Sequence, residues 1–72
     1  MKLFLWWGLD AGGEYADSWI TVIAKSKRRA LELIDEYDHE DNYLIYSGEC
    51  SSNEPEVLSL RGGESERIWA HG

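Results

Sequence analysis

Lys2 to Trp7 opens the chain with a near-continuous apolar run, KLFLWW, stopped by Gly8. The run is rich in aromatics and too short for a helix, so it predicts a strand covered on both faces. Residues 9–17, LDAGGEYAD, hold Gly12 and Gly13 and read as a loop. From Ser18 to Lys25 the β-branched Ile20, Thr21, Val22 and Ile23 predict a second strand, and with the first it makes a hairpin with a fairly long connection. Ser26 then suits a helix N-cap, because its hydroxyl can accept an orphan backbone N–H two or three residues on. Ala30, Leu33, Ile34 and Tyr37 recur at helical spacing, with Leu31 at the margin, and predict the face turned to the sheet. Glu32, Asp35 and Glu36 fall opposite. The helix is expected to fade between Tyr37 and Asp41, in the poor helix material DHEDN.

Asn42 to Ser47, NYLIYS, predicts a third strand, with Tyr43 and Ile45 on one face and Leu44 and Tyr46 on the other. GECSSNEP reads as a loop. Glu56 to Leu60 and Glu66 to His71 predict short fourth and fifth strands, joined by a hairpin turn at Arg61, Gly62, Gly63 and Glu64. The order β-β-α-β-β-β describes one α+β domain over residues 1–72. Its single helix packs on one face of a four- to five-stranded, mainly antiparallel sheet. Successive strand side chains point to opposite faces, so Trp6 and Trp7 cannot both lie under that helix. An apolar face without a helix must be sealed by a twisted edge, a loop or another molecule.

Composition narrows what can stabilise this fold. Seventy-two residues sit near the lower limit for independent folding. A core of that size rarely contributes more than roughly 3–5 kcal/mol net. Cys50 is the single cysteine, which excludes an internal disulfide and fits a reducing cytosol. Cys50, His39 and His71 show no paired zinc-ligand spacing. Four Trp, four Tyr and one Phe supply the large areas such a core needs. The apolar start lacks the length and cleavage site of a signal peptide, and no stretch approaches a membrane span. The chain reads as cytoplasmic and complete.

Charge changes the picture more. Nine acids and no Lys or Arg lie between Glu32 and Glu56, directly after Lys25, Lys27, Arg28 and Arg29. The formal −7 is thus a block, which favours a basic partner over DNA or anionic lipid. The run Glu32 to Asp41 approaches the charge density of a nucleic-acid backbone, where duplex phosphates repeat about every 1.7 Å. Lys27, Arg28 and Arg29 break a rule, since a helix N-terminus favours acids. They are read either as neutralised by Glu32 and the acidic block or as a contact for an acidic surface.

Other chemistries find little support. A calcium loop over Asp38, Glu40 and Asn42 lacks the glycine its sixth position needs, where Tyr43 stands. Cys50 beside Glu49 lacks an activating motif, so nucleophilic catalysis with His39 or His71 is not expected. Gly12-Gly13 and Gly62-Gly63 read as turns outside any phosphate-cradling pattern. Trp19 and Trp69 read as core rather than base-stacking residues, given the acidic balance.

MKLFLW at the start, Ala24 and Ser26 leading into Ala30 and Ile34, and Glu54-Pro55-x-Val57 together resemble small uncharacterised proteins of bacteria and their phages. Those proteins tend to begin the helix with acids, where Lys27, Arg28 and Arg29 stand here. In size, charge and class the chain also resembles acidic α+β phage inhibitors of the anti-CRISPR and anti-restriction kind. The resemblance implies a non-enzymatic, cofactor-free inhibitor that docks on a basic nucleic-acid-binding protein or complex, with no direct nucleic-acid or membrane contact. Its partner surface is expected at Glu32, Asp35, Glu36, Tyr37, Asp38, Glu40, Asp41 and Tyr43, with Lys27, Arg28 and Arg29 as a secondary candidate. The alternative is a small homo-oligomer, such as a homodimer, with an accessory or structural role and the helix-free sheet face as its interface.

Overall fold

The two β-branched and aromatic segments at the start pair as expected, and the rest of the fold is built around them. A computed structural model describes residues 1–9, 18–40 and 46–71. In chain order they form β1 (Lys2–Leu9), β2 (Ser18–Ala24), α1 (Lys27–His39), α2 (Ser47–Ser52), β3 (Glu56–Ser59) and β4 (Arg67–His71). The class is α+β, with an antiparallel four-stranded sheet in the order β3-β1-β2-β4. Both helices lie on one face.

Along β1 and β2 the register runs from Lys2 opposite Ala24 to Trp7 opposite Trp19, then slips so that Leu9 meets Ser18. The slip is a β-bulge at Gly8, whose φ of 68° is a left-handed conformation that costs a glycine little. The extra residue returns Leu9 to the face of Phe4 and Trp6, where it is buried. Ile20, Val22 and Ala24 of β2 share that face.

Ser26 caps α1 as its hydroxyl chemistry predicts: its extended backbone lets Oγ accept the Arg29 N–H at 3.2 Å. Ala30 and Ile34 are fully buried against the sheet, with Leu31, Leu33 and Tyr37 packed around them. The Trp6 indole N–H, buried with the core, donates to the Asn53 carbonyl at 2.9 Å just past α2.

Three expectations change. Tyr46 and Ser47, assigned to a third strand, instead cap and begin α2, and GECSSNEP opens as helix rather than loop. The cause is tertiary. The Asp38 carboxylate accepts the Tyr46 N–H at 2.9 Å and the Ser47 N–H at 2.8 Å, while Cys50 is drawn wholly into the core. The remainder of that expected strand, 42–45, lies outside the described residues, as does most of the 9–17 loop. Second, the described residues give two helices and the order β-β-α-α-β-β, not one helix and β-β-α-β-β-β. Third, β3 and β4 do not form a hairpin. They add to opposite edges, β3 along β1 and β4 along β2, because each edge of the central hairpin presents backbone groups that a strand satisfies. The segment between them crosses the end of the sheet, with Leu60 N–H donating to the Met1 carbonyl at 3.1 Å.

Candidate functional site

No described helix lies on the second face of the sheet. The pairing places Leu3, Ile23 and Leu58 in one row, Leu5, Thr21 and Trp69 in the next, and Trp7 with Trp19 in the third. Trp7 is 66% exposed and Leu58 60%, whereas Trp6, one residue from Trp7, is 1% exposed. Leu5, Trp19 and Trp69 are half-buried. Together with Trp7 and Thr21 they line a shallow open depression of about 370 Å³. Thr21 lies at its floor, almost wholly buried among larger neighbours. A second shallow depression of about 310 Å³ continues past Leu3 and Leu5 to Glu56 and Leu58 on the β3 edge. On the opposite edge the Arg67 guanidinium lies 5.0 Å over the Trp69 ring. Trp19 and Trp69, expected in the core, are therefore walls of this surface. Trp19 alternates with Ile20, Val22 and Ala24, and Trp69 stands between Ile68 and Ala70; that alternation is the sequence signal that sets each apart from its apolar neighbours.

The expected acidic surface divides. Glu32, Asp35, Glu36 and Glu40 stand exposed on α1 or at its cap. Tyr37 is half-buried, its ring 6.2 Å from that of buried Tyr46. Asp38 is 8% exposed, faces inward and holds the start of α2, so it does not belong to that surface. Asp41 and Tyr43 lie outside the described residues, as does Asn42 of the calcium loop.

The basic cluster is largely neutralised by acids of this chain. Arg29 makes a two-pronged contact with Glu66, Nε to Oε2 at 2.8 Å and Nη2 to Oε1 at 3.0 Å, and reaches Glu32 at 3.3 Å. Hydrogen bonding to Arg29 holds the Glu66 carboxyl below its usual range. Lys27 Nζ meets Glu54 at 3.1 Å. Arg28 is exposed and lines a shallow groove with Lys27, Leu31, Glu32 and Asp35. The outer side of α1 is thus mixed in sign where its first two turns meet.

Catalytic chemistry finds no constellation among the described residues. Burial first, then the nearby Asp38 and Glu49, push the Cys50 thiol up to about 12, the reverse of an activated nucleophile. His39 is exposed, and its Nδ1 donates to the Asp35 carbonyl at 2.7 Å, which raises its pKa. No group of three or more His, Cys, Asp or Glu among the described residues is placed to hold a metal ion. None of the described helices is long and apolar enough to cross a membrane. Comparison with protein-family models, curated proteins and solved structures finds no match to this chain.

Proposed function

We propose that this chain is a non-catalytic binding module that docks through the open aromatic face of its sheet. One observation carries the reading: a tryptophan two-thirds exposed rises beside a depression walled by two further tryptophans, on a face no described helix covers. Contiguous apolar surface of this kind marks interaction sites, and interface energy concentrates in aromatic anchors seated near pockets. A photo-cross-linking phenylalanine placed at position 7 tests it. A discrete adduct formed in cells, absent when the probe stands at Arg28 and lost when Trp69→Ala removes one wall, supports the reading. Failure of position 7 to yield any adduct overturns it.

The exposed carboxylates Glu32, Asp35, Glu36 and Glu40 favour a second reading, in which α1 steers a basic nucleic-acid-handling protein of the kind a phage inhibitor targets. Changing all four to Gln or Asn then slows association and flattens its salt dependence. An unchanged salt slope removes this reading.

A further inference from the structure

We propose that the occupant of the open face is a second copy of this chain, seated about a two-fold axis that runs parallel to the strands. The inference rests on the docking role proposed above and names its partner. Charge is the first argument. The chain as a whole is −7, so two copies repel. On the open face, however, the charged side chains described are Glu56 and Arg67, which cancel. The exposed acids of α1 lie behind the opposite face, beyond the sheet's own thickness, where salt screens them from a partner across this one.

Symmetry is the second argument. Glu56 belongs to the β3 edge and Arg67 to the β4 edge, and neither has an ion-pair partner among the described residues. A two-fold axis along the strands exchanges the edges, so each Glu56 is carried over the partner's β4, and each Arg67 over the partner's β3. The same operation carries β1 over β2. Trp7, the projecting side chain of β1, then arrives above the partner's Trp19 and Thr21, a wall and the floor of the 370 Å³ depression. Knob meets hole and acid edge meets basic edge under one axis, as a self-complementary interface requires. An axis across the strands would instead set each edge on its own copy, Glu56 against Glu56.

Size sets the expected strength. Four strands of 8, 7, 4 and 5 residues, set about 4.8 Å apart, present a face of roughly 380 Å² in projection. Two such faces bury somewhat under 1,000 Å², the small end of specific interfaces, so the dimer is a weak, reversible one.

Sedimentation of the intact chain across a concentration series, with circular dichroism to confirm folding of each variant, tests the proposal. The wild-type chain is expected to show a monomer–dimer equilibrium. Glu56→Arg and Arg67→Glu, each alone, set like charges together at both edges and weaken association about 5-fold or more. The double reversal restores opposite pairs and returns association to within about 2-fold of wild type. A Trp7→Ala variant dissociates the dimer while remaining folded. A chain that stays monomeric throughout, or a double reversal no better than the singles, overturns the second-copy proposal. If the position-7 probe then traps a different protein, only the identity of the partner has failed. If it traps none, the docking reading fails as well.

Discussion

Trp6 and Trp7 show how much one step along a strand decides. Trp6 is buried and its indole N–H is satisfied, so Trp6→Ala is expected to cost about 3–5 kcal/mol of folding stability. Trp7→Ala is expected to cost less than about 1 kcal/mol, because two-thirds of that side chain already meets solvent. Chemical denaturation of dilute protein measures both, and equal losses would refute the assignment of the two residues to opposite faces. Cys50 offers a second reading at this scale. Fully buried, with its thiol pushed up to about 12, it should resist iodoacetamide at pH 8 in the native state and react once denaturant unfolds the chain. Mass spectrometry of the two samples decides; rapid native alkylation would mean the core opens at α2.

At the level of elements, what was legible in the sequence was local. The β-branched run of β2, the Ser26 cap and the stripe Ala30, Leu33, Ile34 and Tyr37 each carry their instruction within a few residues. The opposed faces of Trp6 and Trp7 follow from the period-two rule alone. Ser47–Ser52 carried no such signal, since SGECSS has little helix propensity and its helix depends on Asp38 from the preceding element. The four-residue spacing of Ala30, Ile34 and Asp38 marks Asp38 as inward, whereas its charge alone argues for the outer surface. Asp38→Ala should accordingly cost about 2–3 kcal/mol, the scale of hydrogen bonds to a charged group left unmade. Glu40→Gln should stay within about 0.5 kcal/mol. Thermal melts separate the two, and equal effects would deny Asp38 its capping role. The places of β3 and β4 are not legible locally, for a different reason. Their pairing partners, β1 and β2, stand far away in sequence, whereas Gly62-Gly63 suggested a turn between immediate neighbours.

For the molecule as a whole, charge and apolar surface lie on different sides. The acids of α1 occupy the helical side, and the sheet's open side is close to neutral. Between them, the segment linking β3 to β4 is fastened to α1 by Arg29 and Glu66. Glu66 titrates below its ordinary value of 4.5 because Arg29 hydrogen-bonds its charged form. A folded-state value below the unfolded one stabilises the fold above the unfolded value and is lost as pH falls through the folded one. Stability of the wild-type chain should therefore decline from about pH 4.5 downward more steeply than that of Glu66→Gln, measured by denaturant midpoints between pH 6 and pH 3. Parallel pH profiles would show that the fastening contributes nothing.

Because β3 and β4 flank the hairpin from both sides, residues 56–71 close the sheet at its two margins. During synthesis the β1–β2 hairpin and α1 emerge first, yet neither margin is capped until this later segment leaves the ribosome. For that interval the nascent chain exposes two bare strand edges at once, the condition under which neighbouring chains on a polysome can zip together. Slow translation just before Glu56 should prolong the exposure and so lower the share of chains recovered folded.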